Sequence, residues 1–428
     1  MKDRPAPKLP DGVWDSVHNY ILVALIYLLA LQSPLEGISG IFKYIDEFVA
    51  VAGLLCWGIS SIHHGRFRIK HYVFAAVIPL TVFLLAGFAG NILYRYQPWS
   101  FVLKDLFTNF KFFMALLTGY ALMPKCMNKA AMRHIGIHLR LITALLFAVF
   151  CIERVSPVFG ETEVRYGLRS AQMFYYHATY LAGSMAFLIT AMTVFYDKRN
   201  LPFIGMTLLM LMFTLRSKAI VSAMVYVMLF MFLIVIKGKL KLWHFAVLGA
   251  AALVIGWEQI SFYFIDLGGA SGRSIMTSTS FQIMKDYFPI GTGFGTYGSA
   301  AAAENYSPVY MLYGFNDIHE LASWNPMAFL NDTFWPIIIG QTGLIGTFAY
   351  LVLLVLVLTK VIPLARINRY CFLGGLFILV YLLISSTAEP AFNNAVAIPL
   401  AVILGGLIRF MEQNKYPNGC KATHIVLQ

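Results

Sequence analysis

The chain alternates long apolar runs with short polar segments. Twelve runs are long enough to cross a bilayer, whose hydrocarbon core of about 30 Å requires roughly 20 helical residues. Their approximate ranges are 19–35, 40–61, 70–90, 101–123, 133–152, 171–195, 200–215, 219–236, 242–262, 336–359, 369–387 and 392–410. A backbone in hydrocarbon has no water to bond, so each run is predicted to be a helix. The pattern therefore predicts an all-α polytopic membrane protein with about 12 transmembrane helices.

A long polar stretch interrupts this pattern late in the chain, from about residue 264 to 326. It follows the ninth apolar run and is too polar to lie in a bilayer, so it is predicted to be a large external loop between helices 9 and 10. The predicted organisation is helices 1–9 in residues 1–262, the loop with amphipathic helices in residues 263–330, and helices 10–12 with a cytoplasmic tail in residues 331–428.

The composition agrees with a membrane protein, since 59% of the residues are hydrophobic and only 12% are charged. Two of the apolar segments are weaker predictions. The fourth carries Lys104, Asp105 and Lys111, the seventh is short, and the loss of either would reverse the topology that follows it. No small-residue cleavage site ends the first apolar run, so we expect it to be a retained anchor.

The distribution of Lys and Arg predicts how the helices are oriented, because basic loops remain cytoplasmic during insertion. With the N-terminus inside, 20 of the 32 basic residues fall on the cytoplasmic side, nine fall outside and three lie within segments. Both termini are therefore predicted to be cytoplasmic. The formal net charge of +12 is attributed to topology and to contacts with anionic membrane lipids, and no nucleic-acid partner is expected.

The nine basic residues that fall outside oppose this bias. Their external position therefore requires another explanation, such as a function. They are Lys43, Arg95, Arg154, Arg165, Arg169, Arg216, Lys218, Arg273 and Lys285. Arg216-Ser217-Lys218 forms the whole predicted connection between the seventh and eighth helices. A guanidinium clamps phosphate oxygens in pairs and an ammonium adds a point charge, so this turn is suited to a lipid-linked phosphate. The alternative is that both side chains extend to ordinary headgroups.

The external loop begins near Arg273 and contains the glycine-rich sequence PIGTGFGTYG at 289–298. This sequence is neither a dinucleotide fingerprint nor a P-loop, because it lacks a βαβ context and the Gly-Lys-Ser/Thr ending. The preceding stretch, 274–287, is predicted to be an amphipathic surface helix, with the glycines in a tight turn after it. In the alternative interpretation, backbone N–H groups of the turn contact a phosphate or sugar, with Tyr297 as a substrate-binding candidate.

The rest of the loop mixes aromatic and acidic residues, a composition that suits a glycan. Its members are Glu304, Tyr306, Tyr310, Tyr313, Asp317, His319, Glu320 and Trp324. The aromatic residues equally fit the interfacial belt that membrane proteins carry. His319 is a candidate general base because an unperturbed imidazole titrates near pH 6.5, although a lone loop histidine is commonly just exposed.

Two further acids are predicted at the external mouths of helices. Asp332, which follows Asn331, stands before the tenth helix and is a candidate base, with helix N-capping as the alternative. Glu389 lies between the last two helices and is either a site acid or a structural partner of Arg216 or Arg273. His177 falls inside the sixth apolar run and is predicted to be a packing residue. No cysteine or histidine spacing indicates a metal site.

The order of these parts resembles the O-antigen ligase and O-antigen polymerase superfamily of bacterial envelope glycosyltransferases. The resemblance depends on many helices, the basic Ser217-Lys218 turn, Gly272-Arg273, PIGTGFGTYG at 289–298 and GQTGLIG at 340–346. The arrangement of helices and loops is similar along the whole chain. The short motifs are degenerate and lie only within about residues 165–390.

The resemblance implies a multi-pass protein of the bacterial cytoplasmic membrane. Members transfer a glycan from an undecaprenyl diphosphate donor to an acceptor at the outer face, with no nucleotide sugar, metal or other cofactor. Arg216 and Arg273 correspond to basic residues that handle the donor diphosphate. The implied partners are the lipid-linked oligosaccharide donor and acceptor, and a regulator of chain length is left open.

One departure favours the polymerases within this superfamily. Ligases that load lipid A-core carry a His eleven residues before the first Gly of GLIG, whereas this chain has Asp332 at that spacing before Gly343. A polymerase for capsule, exopolysaccharide or O-antigen repeat units is therefore preferred, and a ligase is the alternative. A lipid-linked oligosaccharide flippase is the rival of another class, but the sequence shows neither two-halved symmetry nor a long central cytoplasmic loop.

The predicted reaction is an inverting attack of an acceptor hydroxyl on the anomeric carbon of the donor. Arg216, Lys218 and Arg273 would stabilise the leaving diphosphate electrostatically. Asp332 or His319 would take the acceptor proton. The substrate-binding candidates are Lys218, Ser217, Arg165, Arg95, Lys285, Tyr297, Asn331 and Glu389.

Overall fold

The computed structural model describes residues 11–63, 71–122, 129–160, 162–238 and 271–415. These residues are mostly helical. The α-helices are α1 Asp11–Ala30, α2 Gln32–Ile38, α3 Ile45–His63, α4 His71–Tyr94, α5 Trp99–Leu122, α6 Lys129–Val155, α7 Ala178–Val194, α8 Leu201–Phe213, α9 Ser217–Phe230, α10 Gly272–Asp286, α11 Ala300–Glu304, α12 Pro308–Leu312, α13 Trp335–Val361, α14 Leu364–Ile367, α15 Arg369–Ser385 and α16 Ala397–Lys415.

Short elements complete the described chain. Three-residue or five-residue 3₁₀ helices occupy Gly40–Tyr44, Lys198–Asn200 and Phe315–Asp317, and α9 continues into a π-helical turn, Met231–Val235. Strands β1 Val164–Arg165 and β2 Leu168–Arg169 form a small antiparallel hairpin in the register Val164 to Arg169. This hairpin is the departure from the predicted all-α character within the described ranges.

Four helical stretches of the described chain are long and apolar enough to cross a membrane. They are Ala75–Tyr94, Ala131–Val155, Ser217–Val235 and Trp335–Ile367. The bent pair Asn19–Ala30 and Gln32–Ile38 would make a fifth. The other predicted segments that fall on described residues also coincide with helices, and the ninth, 242–262, lies outside them. The structure thus confirms a helical protein with membrane-spanning character, while the total of twelve spans stays a prediction.

Two predicted segments differ from the helices observed. The first, 19–35, is divided at Leu31 by a bend of 73° between α1 and α2. The sixth, 171–195, becomes helical only at residue 178. Its first residues are instead held by α8, because Ala171 N–H donates to the Phe213 carbonyl at 2.7 Å. Apolar character alone therefore placed the helix start too early.

Glycines allow α5 and α16 to cross closely. A Cβ on Gly119 would lie 1.8 Å from the Val402 carbonyl oxygen, and one on Gly405 would lie 1.9 Å from that of Leu116. Such small residues bring helix backbones together in membrane proteins, where dispersion contacts drive association. Beside this crossing, Lys111 of α5 forms a buried ion pair with Asp46 of α3, which explains how the weakly apolar fourth segment buries its ammonium.

Helix α13 is interrupted at Gly343, whose φ of 59° and ψ of −157° are not helical. The glycine-rich segment 289–298 fills the interruption. Thr292 N–H donates to the Gly340 carbonyl at 3.1 Å, Gly293 N–H donates to that of Gln341 at 2.8 Å, and Ile345 N–H donates to that of Pro289 at 3.2 Å. The loop therefore satisfies backbone groups that a broken helix would otherwise leave open in an apolar environment.

Several connections meet at one end of the helices. The segment before α7 meets the α1–α2 bend through Tyr176 N–H and Ser33 Oγ at 3.2 Å, and Trp335 of α13 donates to Ser386 after α15 at 3.0 Å. Elsewhere, Arg140 of α6 donates to Asn200 before α8 at 2.8 Å. The end that contains the α8–α9 turn also contains the 271–334 loop.

Candidate functional site

The turn between α8 and α9 presents Arg216 and Lys218 at one end of the helices. Thr214 ends α8, and Leu215 adopts a left-handed φ of 52°, which reverses the chain within a few residues. Arg216 is the N-cap residue of α9 and uses its side chain elsewhere, since it makes no capping hydrogen bond. The turn therefore directs a guanidinium and an ammonium into neighbouring segments.

Arg216 is mostly buried and contacts two residues that precede α7. One guanidinium nitrogen lies 3.0 Å from Glu163 Oε2 and 3.0 Å from His177 Nε2. Glu163 also accepts a hydrogen bond from Arg165 Nε at 2.8 Å, within the β1–β2 hairpin. Burial by itself raises the pKa of Glu163, but the Arg165 hydrogen bond and the Arg216 charge lower that pKa below its ordinary value. The carboxylate is therefore ionised.

Lys218 forms a buried ion pair with Glu389. The ammonium lies 2.8 Å from Glu389 Oε2, and the two side chains are only 10% and 8% exposed. Asn394 Nδ2 lies 3.3 Å from the same oxygen. In one of the two alternatives Glu389 was a structural partner of Arg216 or Arg273, and the structure instead pairs it with the neighbouring lysine of the turn. This contact connects α9 to the link between α15 and α16.

Arg273, at the start of α10, is paired with Asp332 immediately before α13. Its Nε and one terminal nitrogen lie 2.9 and 2.6 Å from Asp332 Oδ2. Phe334, and not Asp332, is the N-cap residue of α13, and its side chain makes no capping hydrogen bond. Asp332 is therefore not the N-cap residue of this helix. Burial lowers the pKa of Arg216, and the charges of Arg165 and Arg273 lower it further. The charge of Arg273 in the loop therefore acts on Arg216 in the α8–α9 turn.

His177 was predicted to pack inside a helix, but it is the N-cap residue of α7. Its Nδ1 accepts from the Thr179 backbone N–H at 3.2 Å. Burial lowers the pKa of His177 to about 4, and the charges of Arg216 and Lys218 contribute to this decrease. The imidazole is therefore neutral near pH 7 and stands among cations as a hydrogen-bonding group.

We call these eight side chains the cation cluster: Glu163, Arg165, His177, Arg216, Lys218, Arg273, Asp332 and Glu389. Its four cations are each paired with one of three carboxylates, and the pairs join five separate parts of the chain. Arg216 and Arg273 are near enough to Lys218 for both charges to act on its ammonium. Two guanidinium groups and one ammonium in this arrangement would bind a multiply charged anion, which could replace the carboxylates. No group of three or more metal-ligating side chains occurs among the described residues.

Other predicted site residues lie at the edge of this cluster or away from it. Ser217 is half-buried, and its hydroxyl lies 3.4 Å from that of Tyr166. Arg95, at the end of α4, is exposed, and so is Lys285 in the last turn of α10. Asn331 is also exposed, directly before Asp332. The structure therefore gathers Arg216, Lys218 and Arg273 with their partners, but not Arg95 or Lys285.

His319 lies on the exposed surface of the loop, with its ring 5.1 Å from that of Trp324. Its neighbour Glu320 accepts a hydrogen bond of 2.6 Å from the backbone N–H of Gly272, directly before Arg273. His319 thus sits near the loop segment that supplies Arg273, whereas Asp332 contacts Arg273 itself. Between the two candidate bases, the geometry favours Asp332.

The glycine-rich segment is built for packing. Its N–H groups donate within the protein: Phe294 to Asn91 at 2.9 Å, Gly295 to Asp105 at 2.9 Å, and Gly298 to the Tyr310 hydroxyl at 2.8 Å. The suggestion that these groups contact a phosphate or sugar is therefore wrong for this structure. Tyr297, a predicted substrate-binding residue, is fully buried and its hydroxyl donates to the Met276 carbonyl at 2.7 Å.

The sequence did not identify two members of the cluster, Glu163 and His177. His177 directly precedes the mostly apolar helix α7, a position typical of helix N-caps, although histidine is not a common cap. Glu163 lies two residues before Arg165, which was predicted as a site residue. The nearby opposite charges were the available signal for Glu163. Neither signal reveals that both side chains meet at Arg216.

A comparison of the chain with protein-family models gives no match, and a comparison with curated proteins gives none either.

Proposed function

We propose that the protein is a polysaccharide polymerase that joins undecaprenyl-diphosphate-linked oligosaccharide repeat units at the outer face of the bacterial cytoplasmic membrane. The observation that carries this proposal is the convergence of Arg216, Lys218 and Arg273 at one end of the helices. A diphosphate at headgroup depth carries the charge and geometry that such a cluster would bind.

The location of the cluster supports a lipid-linked substrate. Arg216 directly precedes the candidate span Ser217–Val235, and Asp332 lies shortly before the candidate span Trp335–Ile367. In the proposed topology of twelve helices with both termini cytoplasmic, these helix ends face outward. The polyprenyl chain would remain in the bilayer while its diphosphate reaches the cluster.

In the proposed reaction, an acceptor hydroxyl oxygen attacks the anomeric carbon of the donor sugar. The bond between that carbon and the diphosphate oxygen breaks, and the electron pair leaves with undecaprenyl diphosphate. Arg216, Lys218 and Arg273 stabilise the charge that grows on the leaving group. Asp332 accepts the hydroxyl proton, since binding of the diphosphate by Arg273 would release this carboxylate from its ion pair.

The test uses purified full-length protein in proteoliposomes with lipid-linked repeat units, and products are resolved by length. Arg216→Ala and Arg273→Ala are expected to reduce polymer formation by at least about a hundredfold, the effect of removing one electrostatic contact to developing charge. Lys285→Ala is the matched control, because it removes a cation from the same helix as Arg273, roughly 18 Å further along it by the helical rise. It should retain wild-type activity.

The products separate this proposal from its alternatives. Longer glycans on undecaprenyl diphosphate support the polymerase, transfer only to a different acceptor indicates a ligase, and a change in sidedness without new bonds indicates a flippase. Polymers of normal length from Arg216→Ala or Arg273→Ala would contradict the role given to that residue. Equal losses in Lys285→Ala would show that the assay reports general damage.

A further inference from the structure

Hydrogen-bond chemistry at His177 leaves one ring nitrogen without a suitable partner. The Thr179 backbone N–H can only donate, so His177 Nδ1, at 3.2 Å, must be the acceptor. A neutral imidazole then carries its single proton on Nε2. That nitrogen lies 3.0 Å from a terminal nitrogen of Arg216, and a guanidinium also only donates. Two N–H donors therefore face each other.

A second proton on the ring would not relieve this arrangement, because it would add another cation beside Arg216 and Lys218. Burial and these neighbouring charges keep the pKa of His177 low. Arg216 has a further unmet need, since its Nε is buried and has no hydrogen-bond partner in the structure. Arg216 Nε and His177 Nε2, on two side chains that contact each other, thus both lack an acceptor.

An anionic oxygen satisfies both groups at once. Glu163 Oε2 already approaches the same Arg216 nitrogen at 3.0 Å, which shows that the position accepts an oxyanion. The Glu163 side chain is half exposed, so it can be displaced by a ligand arriving from solvent or from the membrane surface. Phosphate oxygens accept such paired hydrogen bonds and carry more charge than one carboxylate oxygen.

We infer that His177, as the Nε2–H tautomer, is a positioning residue that donates a hydrogen bond, together with Arg216, to a phosphoryl oxygen of the carrier diphosphate. This inference rests on the proposed function, and it adds a neutral donor to a site otherwise built from ions. His177 would thereby fix the rotation of the diphosphate, because a directional N–H bond constrains an oxygen more than a charge does.

Two substitutions separate the two nitrogens of the ring. His177→Asn places an amide oxygen near Nδ1 and keeps the N-cap, since Asn is a favourable cap, but it leaves nothing at Nε2. His177→Gln places an amide N–H near Nε2 and is a poorer cap. His177→Asn, which replaces Nδ1, should therefore keep the stability of the fold. His177→Gln, which replaces Nε2, should keep the affinity for the ligand.

Binding is measured on the full-length protein in detergent micelles with undecaprenyl diphosphate as the probe. His177→Asn is expected to weaken binding by about tenfold to a hundredfold, the loss of one hydrogen bond to a charged group, without lowering the unfolding temperature. His177→Gln is expected to bind within severalfold of wild type and to unfold at a lower temperature. His138→Asn, the same substitution at a histidine of α6 that contacts Tyr27, is the matched control and should bind like wild type.

Three other probes identify the source of the phosphate. Undecaprenol tests the lipid chain alone, phosphatidylglycerol tests an ordinary headgroup, and inorganic diphosphate tests the free anion. The inference requires that His177→Asn weakens binding of undecaprenyl diphosphate and leaves binding of undecaprenol unchanged. An equal effect on phosphatidylglycerol would overturn specificity for the diphosphate carrier.

The result for Arg216→Ala distinguishes this inference from the proposed function. If Arg216→Ala loses binding while His177→Asn binds like wild type, the role of His177 is refuted and the proposed function remains. If neither variant loses binding, both are refuted. If His177→Gln loses affinity while His177→Asn binds like wild type, the histidine acts through the cap alone and the inference fails. Equal losses in both variants would show that an N–H near Nε2 does not restore binding, which also refutes the inference.

Discussion

The cation cluster and the glycine-rich segment are two polar regions that join the same loop to the helices, and they differ in how their hydrogen bonds are satisfied. In segment 289–298, the buried backbone N–H groups of Phe294, Gly295 and Gly298 donate to buried side chains. The acceptors are Asn91, Asp105 and Tyr310. Around Arg216, cations meet carboxylates that are up to 50% exposed, and the buried Nε of Arg216 remains without a partner. The glycine-rich segment, which resembles a nucleotide-binding motif, therefore supports the fold. The cation cluster, which contains no such motif, carries the candidate chemistry.

The largest loss of folded protein is expected when a glycine of segment 289–298 is replaced by a residue with a side chain. Gly293 has a φ of 100°, and a Cβ there would lie 2.5 Å from the Asn91 backbone nitrogen. Gly293→Ala must therefore displace α4 or undock the loop, since neither contacting backbone can yield. We expect little monodisperse protein after detergent extraction, as judged by size-exclusion chromatography.

Gly314→Ala is the control for this experiment. Its φ of 72° is similarly left-handed, but the nearest atom to a Cβ would be Asp317 Oδ2 at 3.9 Å. The conformational cost of a left-handed alanine, about 1 to 2 kcal/mol, should be its whole effect. Normal yields of Gly293→Ala would mean that the segment is not docked as described.

The second prediction tests whether Lys218 is structural or functional. Lys218→Met leaves the Glu389 carboxylate buried and unpaired, which is expected to cost about 3 to 5 kcal/mol. Adding Glu389→Gln removes that charge, so the double variant should recover most of the unfolding temperature. Because the ammonium is also proposed to contact the diphosphate, polymerisation should stay low in both variants.

Thermal unfolding and polymer length are measured on the same preparations. Recovery of stability together with activity in the double variant would assign Lys218 to the fold alone. Recovery of neither would place the damage in packing around α9 rather than in the ion pair.

The smallest expected effect concerns pH. An ordinary histidine titrates near pH 6.5, whereas the pKa of His177 is lowered to about 4. Between these values the unfolded chain takes up a proton that the folded protein does not, so His177 reduces stability as the pH falls from about 6.5 to about 4. The neutral tautomer persists above this window.

Donor affinity should therefore change less than about twofold between roughly pH 5.5 and 8. The probe is a lipid-linked oligosaccharide, whose diphosphate diester does not titrate there, and its dissociation constant is measured across this range in wild type and in His177→Gln. A transition near pH 6.5 that is present in wild type and absent in His177→Gln would show that a protonated His177 binds the donor.

Hydropathy predicted the helices well because each described apolar run satisfies its backbone internally, whatever its neighbours do. It could not predict the bend at Leu31 or the late start of α7, since both arise from contacts with other segments. The same limit applies to Gly343, where the helix breaks because a loop about 50 residues earlier supplies the missing partners.

The candidate site was predicted in part for a related reason. Arg216, Lys218 and Arg273 stand out in the sequence because their charges oppose the expected orientation of the loops. Glu389 and Asp332 were found as acids at helix mouths, but their partners were not, because pairing depends on how the helix ends meet. His177 offered no charge signal, and its significance depends on two donors that converge only in three dimensions.

The docking of segment 289–298 into α13 also defines what can be exchanged between related proteins. A chimera that transplants residues 271–334 alone would bring N–H groups without Asn91 and Asp105 to receive them, and would separate Thr292 and Gly293 from the carbonyls at 340–341 to which they donate. The portable unit is the loop together with its receptor positions on α4, α5 and α13. A graft of this loop must move all of them together.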